Sequence, residues 1–124
     1  MIPSITRAFA GAHLEKGINI VSEVCRLDEK MKDADLALTG EGQTDYQTAF
    51  GKVPAGVAKS AAKFKVPVVC ISGALGKGYE EIFRIGITAS FSISPGPGSL
   101  EDSIKNAAEY IEKTTRNVIA VYLK

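Results

Sequence analysis

The sequence predicts an α/β fold: a three-layer parallel sheet with helices on both faces. Three observations predict it. The run Val68-Val69-Cys70-Ile71 is apolar at every position, the composition of a strand buried on both faces. Strand-like runs alternate with stretches of helical period, which in a single chain gives parallel strands joined by helical crossovers. Each apolar run ends in a stretch rich in glycine, where a turn is expected.

The elements follow in order. Thr6 to Leu14 is compatible with a helix closed by Gly17. Ile18, Val21, Val24 and Cys25 recur at helical spacing, so a short helix is expected from about Ile18 to Cys25. Asp28 reads as the N-cap of a short helix through Lys32, with Glu29 favourably placed in its first turn. The first strand is expected over Leu36–Thr39, broken by Gly40-Glu41-Gly42. Pro54–Phe64 reads as a helix whose face of Ala55, Val57, Ala58, Ala61 and Ala62 allows close approach to a sheet. Pro54 suits its first turn, where no N–H is needed.

Val68–Ile71 is the second strand, ending in the loop from Ser72 to Gly78. Tyr79–Arg84 is a short helix. Thr88–Ile93 is the third strand, with Ala89, Phe91 and Ile93 on one face. Ser94-Pro95-Gly96-Pro97-Gly98 can only be a loop. Ser99 caps the last helix, with Asp102 completing a weak capping box. A stripe of Leu100, Ile104, Ala107, Ala108, Ile111, Thr115, Val118, Ile119 and Tyr122 predicts one continuous helix almost to Lys124. Three strands leave two edges, which proteins rarely leave bare. The shortage implies a strand hidden in residues 1–34, cover by another chain with self-association, or a larger parent domain.

The bulk properties narrow the function. The 124 residues suffice for one domain with a modest core. Apolar content of 45% and charged content of 23% are ordinary for a soluble globular protein. A net charge of +1 gives no footprint for nucleic acid or an anionic membrane. No apolar run approaches spanning length and no signal peptide is visible. Cys25 and Cys70 are far apart, and Cys70 reads as a small core residue, which suits a reduced, cytoplasmic protein. With His13 as the sole histidine and no cysteine pair at ligand spacing, a zinc site is not expected.

The stretch from Asp35 to Pro54 carries the candidate chemistry. In open α/β sheets ligands gather at the carboxyl ends of strands. Gly40 and Gly42 would let a ligand approach the backbone closely. Glu41 and Asp45 supply hard oxygens suited to Mg²⁺, which is held by one or two carboxylates with phosphate oxygens and water. Asp45 fits equally as acceptor of a substrate hydroxyl proton, or as a turn cap. Gly51-Lys52 precedes a helix start, a poor place for a lone cation unless an anion binds there; Lys52 otherwise reaches into solvent. Gln43 and Gln47 fit hydrogen bonds to a sugar acid or ribose, or simple hydration. Thr39, Thr44 and Thr48 attract no special reading. Tyr46 and Phe50 fit core anchors or ligand walls. His13 reads as a packed or exposed residue.

Neither glycine loop is a Walker A motif, since Gly51-Lys52 is followed by Val53 and Gly76-Lys77 by Gly78. Together, however, the loops predict a rim of Glu41, Asp45, Gln47, Lys52, Lys77 and Ser94. That mixture of charges and free backbone N–H groups suits a phosphorylated or nucleotide ligand.

The segment Ala34-Asp35-Leu36-Ala37-Leu38-Thr39-Gly40-Glu41-Gly42, with Asp45, Gln47-Thr48, Gly51-Lys52, Pro54 and Gly56-Val57-Ala58, closely resembles the signature of the bacterial glycerate kinase family of the first type. Pro67-Val68, Ile71-Ser72-Gly73, Phe91-Ser92-Ile93, Ser99-Leu100-Glu101 and Thr115-Arg116-Asn117 extend the resemblance. Gly17-Ile18-Asn19 is similar to a family segment that carries aspartate in place of Asn19.

The resemblance implies ATP-dependent phosphorylation of D-glycerate with Mg²⁺, in a two-domain α/β enzyme whose active site lies between domains. It implies that residues 1–124 form one α/β segment, the C-terminal part of a flavodoxin-like or Rossmann-like domain whose N-terminal kinase segment is missing. It then puts Asp45 and Lys52 in catalysis and Glu41 and Asp45 on the metal. Gly40, Gly42, Gln47, Gly51, Gly73 and Lys77 become substrate or nucleotide contacts. The alternative is a non-catalytic flavodoxin-like binding module or an inactive remnant.

Overall fold

The computed structural model describes residues 26–123. The helices expected over Thr6–Leu14 and Ile18–Cys25, with His13 and Asn19, lie outside the described residues. The rest forms three layers, as the strand–helix alternation predicts. One parallel sheet of order β1-β2-β3 (Ala37–Thr44, Val68–Leu75, Ala89–Ser92) has helices on both faces.

On one face lie α1 (Leu27–Lys32), α2 (Val53–Lys63) and a 3-10 helix (Tyr79–Ile85). Met31, Val57, Ala58, Ala61, Val68, Cys70, Ile82 and Ile87 form their shared core. The small-residue face of α2 does what its composition suggested: Ala58 and Ala61 are buried, so the helix lies close on the strands. Pro54 sits in the first turn of α2, as expected from its missing N–H.

On the other face α4 (Ala107–Tyr122) covers Val69, Ile71 and Ile93 with Ala107, Tyr110 and Val118. Alternate residues of β2 therefore enter different cores, and each buried Val or Ile side chain contributes about 1.5–3 kcal/mol of hydrophobic stabilisation. The groove between β3 and α4, of about 650 Å³, is largely apolar and includes Val69, Ala89, Phe91, Val118 and Val121 in its lining. Of the predicted rim residues, Ser94 lines it, whereas Glu41, Asp45, Gln47, Lys52 and Lys77 do not.

Five elements depart from expectation. Asp28 lies inside α1, whose N-cap is Arg26 in the left-handed region (φ 53). Its carboxylate instead accepts Ser60 Oγ (2.5 Å) and Lys63 Nζ (2.6 Å), tying α1 to α2. Those two partners hold the carboxyl below its ordinary range.

The first two strands run longer than their apolar cores. Gly40, Glu41 and Gly42 belong to β1, and Ser72, Gly73 and Ala74 to β2. The register continues through Glu41↔Ser72 to Thr44↔Leu75. Backbone ladder bonds do not require apolar side chains, so polarity marked the end of the core rather than of the strand. The third strand is correspondingly shorter than expected, Ala89–Ser92.

The last helix is broken. Ser99 caps α3 (Leu100–Lys105) by accepting the Asp102 N–H (3.1 Å), as read from the sequence. Asn106 then leaves helical geometry (φ −104, ψ 14) while its Nδ2 donates to Asp102 O (2.9 Å). The break interrupts the apolar stripe. Leu100 is 76% exposed and Ile104 68%, whereas Tyr110 and Val118 pack on the sheet. The end of α4 is fixed by Tyr122 OH donating to Asp35 O (2.7 Å).

Candidate functional site

Parallel strands deliver the turns after β1 and β2 to the same end of the sheet, and there they interlock. Gly76 N–H donates to Thr44 O (2.6 Å) and Tyr46 N–H to Lys77 O (3.1 Å). A Cβ on Gly76 would meet Gln43 Nε2 at 2.5 Å, and one on Gly78 would meet Tyr46 Cβ at 2.8 Å. The two loops thus form one surface, as the rim prediction requires. The loop after β3 is tied mainly to itself: Ser94 N–H donates to Ser92 Oγ and Ser94 Oγ to Gly96 O.

Strand alternation sets the position of Glu41. Ala37 packs towards the α2 face, and Thr39 and Glu41 follow on that face at a period of two. Glu41 is half-buried, and burial is the main reason its carboxyl stands above the ordinary range. The positive charge of Lys52 opposes that rise, and the negative charge of Asp45 adds to it. Glu41, Asp45 and Lys52 therefore share one electrostatic environment. None of them enters the ion pairs found among the described residues.

Lys52 is the N-cap of α2, as its position before Pro54 suggested. No side chain caps this helix, and its first turn holds no acidic residue. The positive end of the helix therefore lies open beside an exposed lysine, an arrangement suited to an anion. Gly51 makes the approach to it in the left-handed region (φ 92), with no atom within 4 Å of where a Cβ would stand.

Asp45 has a local task. Its Oδ1 accepts the Gln47 N–H (2.9 Å), and its own N–H donates to Thr48 Oγ1 (3.0 Å). This is the turn-capping arrangement weighed from the sequence, and it leaves Oδ2 without a hydrogen bond among the described residues. Gln47 is exposed, with Nε2 donating to Tyr46 OH (3.1 Å). Lys77 is exposed on the second loop.

The glycines divide by role. The Cβ space of Gly40 is taken by Ile71 O at 3.0 Å and that of Gly73 by Gly42 O at 2.7 Å. At those two positions the absence of a side chain serves strand packing. Gly42 and Gly51 face open space.

Sequence reasoning passed over the threonines. Thr44 and Thr48 are both fully buried. Thr44 Oγ1 hydrogen-bonds Ser72 Oγ and lies 3.5 Å from Cys70 Sγ, forming a small polar cluster beneath the rim. The Asp45-x-x-Thr48 spacing, typical of side-chain-capped turns, was the signal available for Thr48.

The donor set suits Mg²⁺. Glu41 and Asp45 put two carboxylates at the rim. That matches a cation held by one or two carboxylates and completed by phosphate and water.

The model of the Glycerate kinase family matches residues 4–123. Glycerate kinase from Halalkalibacterium halodurans is 43% identical over 114 residues, covering 92% of this chain and 30% of the relative. Glycerate kinase from Bacillus subtilis is 46% identical over 109 residues, 88% of this chain and 28% of the relative. Glycerate 2-kinase from Escherichia coli is 40% identical over 113 residues, with 91% and 30% covered. A solved chain described as glycerate kinase 2 from Salmonella typhimurium superposes with a TM-score of 0.63 at 40% identity, over 94% of this chain and 28% of that one. The chain spans about 30% of the length of the curated relatives it matches.

Proposed function

This chain belongs to the glycerate kinase family, and on that premise we propose that it is the C-terminal segment of an ATP-dependent D-glycerate kinase. The observation that carries the proposal is the grouping of Glu41, Asp45 and Lys52 beside the uncapped start of α2. Mg²⁺, when bound with ATP, neutralises charge on the transferred phosphoryl group, and Glu41 and Asp45 are the residues to hold it.

Phosphoryl transfer needs positioning and charge neutralisation more than covalent chemistry from the protein. Lys52 and the first N–H groups of α2 would hold a phosphate or the glycerate carboxylate. Asp45, if not committed to metal, would accept the proton of the attacking hydroxyl through the oxygen its turn leaves free. Gly42 and Gly51 leave the backbone open to the ligand. Gln47 and Lys77 would complete the rim around substrate or nucleotide. The name of the Escherichia coli relative favours the 2-hydroxyl as acceptor.

The segment is expected to work only with the remainder of the kinase, in the cytoplasm. Among the described residues, no helix is long and apolar enough to cross a membrane. The test is a phosphoglycerate assay on the pure chain, and on a single chain joining it to the remainder of Bacillus subtilis glycerate kinase in place of the matched segment. The joined chain should convert D-glycerate and ATP to 2-phosphoglycerate at enzymatic rates, and the isolated chain should not. A folded joined chain without activity would overturn the proposal.

A further inference from the structure

Glu41 offers a half-buried carboxylate that makes no side-chain hydrogen bond or ion pair among the described residues. A carboxylate that binds metal is ordinarily held from behind by a hydrogen bond, and that partner matters nearly as much as the ligand itself.

Sheet register places the candidate donors. Glu41 lies across from Ser72 on β2, and Ser72 across from Ser92 on β3. Two residues earlier on each strand, Thr39, Cys70 and Ser90 form the corresponding row. Both rows lie on the α2 face, because Cys70 enters that core and strand residues alternate between faces. Most of these groups are committed. Ser72 Oγ is bound to Thr44 Oγ1, and the Cys70 sulfur lies 3.7 Å from the first and 3.5 Å from the second. Ser92 Oγ donates to Gly73 O (3.3 Å) and accepts the Ser94 N–H (3.2 Å). Two hydroxyls remain, Thr39 Oγ1 and Ser90 Oγ, both buried and without a partner among the described residues.

The two differ in reach. Ser90 stands two strands from Glu41, about 10 Å across the sheet. Thr39 stands two residues before Glu41 on the same strand and face, about 7 Å away, a spacing that long side chains bridge by leaning along the strand. Thr39 is 3% exposed, so bulk water does not reach its hydroxyl. Valine has the same shape and suits a strand, so packing alone does not call for that hydroxyl. A buried hydroxyl without a partner costs stability, and a group retained at that cost calls for a role in function.

We propose that Thr39 is a positioning residue: in the assembled site its Oγ–H donates to the Glu41 carboxylate and fixes the orientation in which that group meets Mg²⁺. This rests on the proposed reading of the chain as one segment of a Mg²⁺-dependent kinase.

The isolated chain and the joined kinase together provide the test. Thr39→Val deletes the hydroxyl and keeps the shape. Thr39→Ala deletes it with less bulk, in case the valine variant does not fold, and Thr39→Ser keeps it. In thermal unfolding, the isolated Thr39→Val chain should be at least as stable as the parent, because an unpaired hydroxyl is gone. In the joined kinase with ADP, the Mg²⁺ concentration giving half the maximal rise in Tm should increase about ten- to a hundredfold for Thr39→Val and Thr39→Ala, and turnover should fall by a similar factor. Thr39→Ser should stay near the parent in both. Ser90→Ala, which removes the other unpaired hydroxyl, should leave both unchanged. A parent-like Mg²⁺ response in a folded Thr39→Val or Thr39→Ala kinase would overturn the inference. So would a loss that Thr39→Ser does not restore, or an isolated Thr39→Val chain less stable than the parent, since either assigns the hydroxyl to the fold. A matching loss in Ser90→Ala would do the same, because Ser90 is out of reach of Glu41. A joined parent that responds to Mg²⁺ without turnover fails the kinase reading, while the Mg²⁺ response of its Thr39 variants still decides this inference. A joined parent that Mg²⁺ does not stabilise overturns both.

Discussion

A Cβ placed on Gly73 would stand 2.7 Å from the carbonyl oxygen of Gly42, its neighbour across the β1–β2 ladder, whereas a Cβ placed on Gly42 would meet nothing within 4 Å. The pair is asymmetric because each strand presents a different group at the point of contact. Gly73→Ala must move a backbone carbonyl in the centre of a parallel sheet, and overpacking of that kind costs about 1–3 kcal/mol. Gly42→Ala should leave stability within about 0.5 kcal/mol, as surface changes do. In the complete enzyme it should raise KM, because the new methyl group occupies the face left open to the ligand. Urea unfolding of both variants, with steady-state kinetics of Gly42→Ala, checks the pair. Equal stability losses would remove the asymmetry.

Thr44→Val keeps the shape of the side chain and deletes the hydroxyl that binds Ser72 and faces Cys70. Ser72 is left in the core with the Cys70 sulfur at 3.7 Å as its remaining close partner. An under-satisfied buried hydroxyl costs about 1–3 kcal/mol. The expected loss is of that size, and Thr44→Ser should restore most of it. Thermal unfolding reads the result at about 4–8 °C per kcal/mol. A Thr44→Val protein as stable as the parent would show that the cluster contributes little.

These two contacts also mark the limit of what the sequence made legible. Apolar composition located β2 and the small-residue face of α2, because burial acts directly on side chains. Ser99 was legible because capping is local, decided within three residues. The extension of β1 through Gly40-Glu41-Gly42 was not, because it depends on backbone bonds to a strand about thirty residues away. The packing that requires glycine at Gly40 and Gly73 was hidden for the same reason: what fills their Cβ space is another strand's carbonyl. At the site, Lys52 as N-cap followed from Pro54, but the burial of Glu41 depends on the α2 face and could not be read from its neighbours. The break at Asn106 was hidden because the apolar positions continue through it.

Asp45→Asn separates a structural from a chemical role. The turn uses Oδ1 as acceptor for the Gln47 N–H, and asparagine offers the same acceptor. Folding should therefore be unchanged. In the complete enzyme the lost charge removes a metal ligand or a proton acceptor. Turnover should fall by about two to four powers of ten, more than the change in KM. Circular dichroism and steady-state kinetics on the joined chain check this. Near-normal turnover with unchanged Mg²⁺ dependence would leave Asp45 as a turn cap alone.

Glu41→Gln should set stability against activity. Burial raises the Glu41 carboxyl above its ordinary value of 4.5; the charge of Lys52 opposes the rise and that of Asp45 adds to it, and the net shift is upward. The folded chain therefore holds a proton on Glu41 over a window where the unfolded chain has lost it. By linkage, stability is retained below the ordinary value and declines as pH rises through that window towards the raised one. Glutamine is neutral throughout and similar in shape. Glu41→Gln should match the parent in acid and become the more stable protein as pH rises, with the gap constant above the raised value. Charge kept at such a cost in stability is characteristic of functional sites. In the joined kinase the same substitution should weaken Mg²⁺ dependence and lower turnover. Unfolding curves across pH, paired with Mg²⁺ titrations of activity, read both halves. A variant that is less stable at neutral pH and fully active would show that Glu41 serves the fold through its charge and takes no part in the site.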